Sequence, residues 1–311
     1  MLGSAHPQKG AKRPILKNTR RVSKSLIIID FSILIYKQNH YILYVLEKLM
    51  KEDLQLIIDE YPLDYCEMLE DVYGRGLMSE GGTKAIDELF DGVNLSNTRV
   101  LDVGSGLGGL AFYLAKEYNC TVSGLEINEE MIQEAVKRIP SSLASNVSFH
   151  HYSDFSKLSF KSSHFDIICS KGTLVHVNDK GTLFKELHRL LKDDGQFVLN
   201  DWLSSQKNGW GPRIKRMCEL EDLTLYPTIK TDYQLVLKDS GFHIAEIRDC
   251  SPQYSKYNLQ LVEVLHQKKI SFIQKHGEKA WQESVDGYKL IAESQADGEL
   301  LVTEFIATKL I

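Results

Sequence analysis

Asp102, Gly104, Ser105, Gly106, Gly108 and Gly109 lie close together, between the apolar run Val100–Val103 and an apolar-periodic segment. That order reads as strand, tight turn and helix, with backbone N–H groups gathered at the helix start. Two chemistries share the spacing. Gly104, Gly106 and Gly109 satisfy G-x-G-x-x-G, the turn that sets a dinucleotide's pyrophosphate against a helix N-terminus. Asp102, Gly104, Gly106 and Gly108 satisfy D-x-G-x-G-x-G, the loop that holds S-adenosylmethionine. Glu126, at the end of the next apolar run "TVSGLEI", serves ribose hydroxyls in either case.

Four features separate the two. Asp102 stands two residues before Gly104, where a carboxylate opposes a pyrophosphate but favours a donor that carries an ammonium and a sulfonium. Asp154 and Phe155 follow the third strand and offer an acceptor for an adenine amine and a ring beside it. The first strand comes only near residue 100, behind helical segments able to close over a ligand. The chain ends on an alternating strand after a long insertion, not in a second catalytic domain.

From Arg99 onward strand and helix signals alternate. Asn128 caps a helix whose first turn carries Glu129 and Glu130, and Pro140 stops it. "NVSFHHY" and "FDIICS" are the next two strands; Leu183, Phe184, Leu187, Leu190 and Leu191 share one helical face, and "GQFVLND" follows as a strand. Strands spaced by such helices imply a doubly wound, mostly parallel α/β sheet. After Asp201 the pattern changes to the polar stretch "WLSSQKNGWGP" and then helices, with "HIAEIRDC" and "LLVTEFIATKLI" as late strands.

The composition, 43% hydrophobic and 25% charged over 311 residues, is that of a globular chain of one large or two small domains. A net charge of -5 exerts no overall pull on nucleic acid or anionic membrane. Residues 1–49 hold nine Lys or Arg against two acids, so the rest of the chain carries the whole negative balance. Asp30 and Lys37 break the apolar run there, which argues against a spanning helix or a signal peptide. This stretch is expected to be a basic extension, either disordered or upstream of a natural start at Met50. A helical lid is expected over 50–95 and the main domain over 96–311, with insertions at about 203–240 and 253–297. The five cysteines are scattered without a C-x-x-C pair, which fits a reducing compartment and argues against a disulfide framework or a zinc site; the cytoplasm is the expected location.

The sequence resembles the class I S-adenosylmethionine-dependent methyltransferases, and among them the phosphoethanolamine N-methyltransferase-like group. The resemblance runs from about Tyr61 to the C-terminus through "VYGRGLMSEGG", "VLDVGSGLGG", "GLEI", "SD", "FDIICSKGTLVH" and "NDW". It implies a Rossmann-like sheet of seven strands with the last one antiparallel, helices on both faces and an N-terminal helical lid. It implies S-adenosyl-L-methionine as cofactor, with Ser79 and the Gly104–Gly106 loop at the methionine end. Glu126 is placed on the ribose, Ile127 against the adenine, Asp154 on the adenine amine, Phe155 beside the ring and Ser170 in the site through its backbone.

Methyl transfer needs a nucleophile with a free lone pair, held collinear with the activated carbon. An aliphatic amine is protonated at neutral pH, so its proton must go somewhere. His176, after the fourth strand, is the candidate base, and its ordinary pKa suits the task. The resemblance pairs that histidine with a lid tyrosine: Tyr61 by spacing, with Tyr65 as rival. The bland alternatives are a capping or buried histidine for His176 and lid packing for Tyr61, Tyr65 and Tyr73. His150 and His151 read as strand residues. Trp202 offers a cation–π wall for a methylated ammonium, or packs as core.

The resemblance also has gaps. The group's acidic residue after the fourth strand falls on Gly172 and its aromatic hydroxyl on Trp202. Its phosphate clamp falls on "CELEDLTLYP", where Glu219, Glu221 and Asp222 repel a phosphate, and the clamp's lysine falls on Ile291. The expectation is N-methylation of a small, phosphate-free amine, with no nucleic-acid, membrane or obligate protein partner. The competing classes are a nicotinamide oxidoreductase, which shares only the glycines, and a non-catalytic adenosyl-binding protein.

Overall fold

The computed structural model describes residues 54–310; the expectations for residues 1–49 lie outside them. Seven strands form one sheet: β1 (Arg99–Val103), β2 (Thr121–Glu126), β3 (Val147–His151), β4 (Phe165–Lys171), β5 (Leu191–Ser204), β6 (Phe242–Asp249) and β7 (Leu300–Lys309). Their order is β3-β2-β1-β4-β5-β7-β6. β1 pairs in parallel with β2 and β4, and β7 runs antiparallel to both β5 and β6. The doubly wound sheet with a reversed last strand is therefore the observed architecture.

The inner strands are buried on both faces, which is why they read as continuous apolar runs. Successive residues feed opposite cores. Leu101, Val103, Ile168 and Leu199 pack into one, and Val100, Ile167, Cys169 and Val198 into the other. A third cluster, around Trp210, Met217, Leu261, Trp281 and Tyr288, is built by the insertion helices Pro212–Glu221, Ser251–Gln267 and Glu278–Ala296. Among the described residues no helix is long and apolar enough to cross a membrane.

Two boundaries differ from the sequence reading. The helix Lys180–Leu190 gives way at Leu191 directly to β5, because Leu191 already pairs with Phe165 and a bulge then restores register at Ile167 opposite Gln196. β5 also runs through Trp202–Ser204, into the polar stretch that follows the expected strand end at Asp201, because β7 supplies partners as far as Leu300 opposite Ser204.

The lid helices precede the sheet: a helical segment at 54–60, then Leu63–Tyr73 and Gly82–Leu89. They are fastened to the glycine turn by one backbone bond, Gly109 N to Gly76 O at 3.0 Å. A Cβ on Gly109 would lie 2.4 Å from that same oxygen, so the approach requires glycine.

Candidate active site

The glycine turn folds the end of β1 over the end of β2: the N–H groups of Gly104 and Ser105 both donate to Leu125 O, at 2.8 and 3.1 Å. Gly104, Gly106 and Gly108 have φ of 76°, 51° and 87°, a region that costs other residues strain. Gly108 then caps the helix Gly109–Tyr118 in the left-handed conformation.

Two carboxylates lie beneath this turn. Glu126 is buried and accepts three backbone N–H groups: Gly106 on Oε2 at 2.9 Å, and Ile127 and Asn128 on Oε1 at 2.8 and 3.1 Å. Burial raises its pKa while those donors oppose the shift. Asp102 is buried with no donor to Oδ2, and burial together with the charge of Glu126 lifts its carboxyl to about 7. Ser105 Oγ is likewise buried and unpartnered. A buried acceptor without a partner is costly, and a cation with N–H donors removes that cost at Asp102. The residues therefore fit a donor bearing an ammonium and a sulfonium, and fit a pyrophosphate poorly.

One cavity unites most of the expected residues. Tyr61, Ser79, Asp102, Gly104, Ser105, Gly106, Glu126, Ile127 and His176 all line it. Ser170 does not: it is fully buried and its Oγ donates to Val103 O at 2.9 Å. Asp154 is exposed and closes a local turn, accepting from Ser156 N at 2.8 Å and Ser156 Oγ at 2.6 Å. Phe155 is buried in the core beneath it, and Tyr152 is the ring from this segment that lines the cavity.

Tyr61 and His176 meet across the cavity, Oη to Nε2 at 3.2 Å, with their rings nearly perpendicular at 85°. His176 ends a short 3-10 turn, Leu174–His176. Asp201 holds that turn by accepting from Val175 N at 2.9 Å, and Tyr233 Oη donates to its other oxygen at 3.0 Å. Burial, with the Lys180 ammonium nearby, lowers the His176 pKa to about 4. Burial and then the charges of Glu221 and Glu60 raise the Tyr61 phenol well above its usual range.

The other aromatic candidates face elsewhere. Tyr65 Oη donates to Glu221 Oε2 at 2.9 Å. Tyr73 packs edge-on against Tyr288 at 5.7 Å. Trp202 Nε1 donates to the buried Glu80 at 3.1 Å, and Asn258 Nδ2 binds the other Glu80 oxygen at the same distance. Lys171, at the end of β4, is a lining residue the sequence reading missed. Its Nζ reaches Ser79 Oγ at 3.0 Å, and burial pulls its pKa down to about 8 against the pull of Glu80 and Glu304. The apolar residues Leu54, Ile57 and Ile58 roof the same space.

The methyltransferase domain family matches residues 94–284. The chain is 28% identical over 283 residues to Phosphoethanolamine N-methyltransferase 1 of Arabidopsis thaliana, covering 88% of this chain and 56% of that one. It thus spans about half the length of the curated plant relative. It is 26% identical over 251 residues to the phosphoethanolamine N-methyltransferase of Plasmodium falciparum, covering 78% of this chain and 91% of that one. In fold it is similar to Haemonchus contortus phosphoethanolamine N-methyltransferase 2, solved with phosphomonomethylethanolamine and S-adenosylhomocysteine. There the TM-score is 0.75 at 22% identity, over 83% of this chain and 61% of the other. The chain belongs to the methyltransferase domain family, in the class I, S-adenosylmethionine-dependent, phosphoethanolamine N-methyltransferase-like group.

Proposed function

We propose that this chain methylates the nitrogen of a small, phosphate-free amine. The observation that carries the reading is the Tyr61–His176 contact on the wall of the cavity that also holds Asp102, Glu126 and the glycine turn. When bound, S-adenosylmethionine supplies a methyl group already activated by its sulfonium. Asp102 faces the cationic end of that donor, and Glu126 has lone pairs left for ribose hydroxyls. With a pKa lowered to about 4, His176 is neutral across the working pH range, so its Nε2 accepts the Tyr61 hydroxyl. The Tyr61 phenol stays protonated. The Tyr61 oxygen then keeps its lone pairs for an N–H of the amine, which turns the amine's own lone pair towards the methyl group. An imidazole this weak orients the nitrogen rather than storing its proton: the amine gives that proton to water before it binds, and leaves as the methylated ammonium.

The relatives named above act, by name, on phosphoethanolamine. Two features favour a different acceptor here. Glu221 stands where the resemblance places a phosphate clamp, and Glu80 is a second buried carboxylate near it. Ile291, at the position of the clamp's lysine, is buried in apolar surroundings. The test is S-adenosylhomocysteine release with phosphoethanolamine, glycine, sarcosine, dimethylglycine and simple diamines, with cofactor affinity measured on the same sample. Turnover of a phosphate-free amine supports the reading, and turnover confined to phosphoethanolamine refutes it.

A further inference from the structure

Beside Tyr65 lies a second cavity, bordered by the Glu221 position where the resemblance places a phosphate clamp. Its walls include Tyr65, Met68, Glu221, Ser284 and Tyr288. The rings of Tyr61 and Tyr65 are 5.6 Å apart, so this space begins one ring away from the Tyr61–His176 contact. Glu221 closes the helix Pro212–Glu221, and its Oε2 takes the Tyr65 hydroxyl at 2.9 Å. Its Oε1 occupies a notch in the facing helix Glu278–Ala296: a Cβ on Gly287 would lie 2.6 Å from it. A glycine inside a helix costs about 1 kcal/mol relative to alanine. Here that cost makes room for a carboxylate.

The charges on the walls are unbalanced. Lys275 and His276 also line the cavity, but both are tied to Asp71, at 2.6 and 2.7 Å. Asp64 and Glu283 add carboxylates at the rim, the second of them facing Lys279 at 3.5 Å. Among the described residues no cation pairs with Glu221, and desolvation there, with Glu80 and Glu283 nearby, lifts its carboxyl to about 7. The Tyr65 and Tyr288 rings offer π faces, and Tyr73 braces Tyr288 edge-on. Aromatic faces beside one unneutralised carboxylate recognise an organic ammonium and repel an anion.

We propose that the acceptor is a diamine whose non-reacting ammonium is held in this cavity by Glu221, Tyr65 and Tyr288, while its reacting nitrogen lies at Tyr61 and His176. The proposal rests on the amine reading above and adds a second recognition point to it.

The experiment is calorimetric titration of the full chain, saturated with S-adenosylhomocysteine, with 1,3-diaminopropane, 1,4-diaminobutane, butylamine and phosphoethanolamine. A diamine is expected to bind at least tenfold tighter than butylamine. Glu221→Gln should remove most of that advantage, and Tyr65→Phe a severalfold part of it, with S-adenosylhomocysteine affinity unchanged in both. Equal binding of diamine and butylamine overturns the proposal, as does an advantage that survives Glu221→Gln or tighter binding of phosphoethanolamine. Methylation of monoamines without any diamine preference overturns this inference alone. A chain that binds S-adenosylhomocysteine yet neither binds nor methylates any amine overturns the amine reading with it.

Discussion

Tyr61 Oη and His176 Nε2 sit 3.2 Å apart although 115 residues separate them in the chain. The lid supplies one and the loop after β4 the other, so the contact exists only when lid and sheet are assembled. Without the imidazole that orients Tyr61, His176→Ala is expected to lower kcat by about 10²-fold. Tyr61→Phe should lower it by roughly tenfold. S-adenosylhomocysteine affinity, measured by calorimetry, should be unchanged in both, and an unaltered rate in His176→Ala removes that residue from the chemistry.

Asp102 gives a pH prediction. Its pKa is about 7 folded against 3.8 as a free side chain. Between those values the folded chain keeps a proton that the unfolded chain releases, so this residue makes stability fall as pH rises from about 4 to 7 and adds nothing further above 7. Asp102→Asn removes the effect. Its stability relative to wild type should therefore grow across that window, by on the order of 3 kcal/mol, as read from urea denaturation at pH 4.5 and 8. The same variant should bind S-adenosylmethionine at least tenfold more weakly.

Gly109→Ala places a methyl 2.4 Å from Gly76 O, and neither backbone can move without opening the turn. A loss of about 1–3 kcal/mol is expected from overpacking, together with weaker cofactor binding. A thermal melt with and without S-adenosylhomocysteine reads both.

Asp201 reaches the His176 turn through Val175 N, one residue before the histidine. Asp201→Ala should lower kcat while leaving cofactor affinity intact, because the 3-10 turn loses its anchor. A rate that matches wild type would show that Lys180 and Tyr226, which also border the turn, hold it alone.

Much of the cofactor floor was legible because its chemistry is local. An apolar run, three glycines in left-handed backbone and a following carboxylate are written within 27 residues, from Val100 to Glu126. Residues placed by tertiary packing were harder to read. Tyr61, in the link before the helix Leu63–Tyr73, and Tyr65, in its first turn, are four residues apart, and only the docking of the lid decides that one meets His176 and the other Glu221. Lys171 at a strand end reads as a solvent-facing charge, yet Ser79 and Glu80 fold over it. Asp154 follows a strand as an adenine-binding acid would, but Ser156 two residues on captures it in a local turn. Trp202 sits in a polar stretch, and the long β5–β7 pairing carries it into the sheet.

The roof that Leu54, Ile57, Ile58 and Tyr61 form over the glycine turn has a consequence for traffic. On the proposed reading the methyl donor lies against the glycine turn and the amine meets the tyrosine above it. The donor is then expected to bind first, the amine second, and the spent donor to leave last. Product inhibition by S-adenosylhomocysteine should accordingly be competitive with the donor and not with the amine.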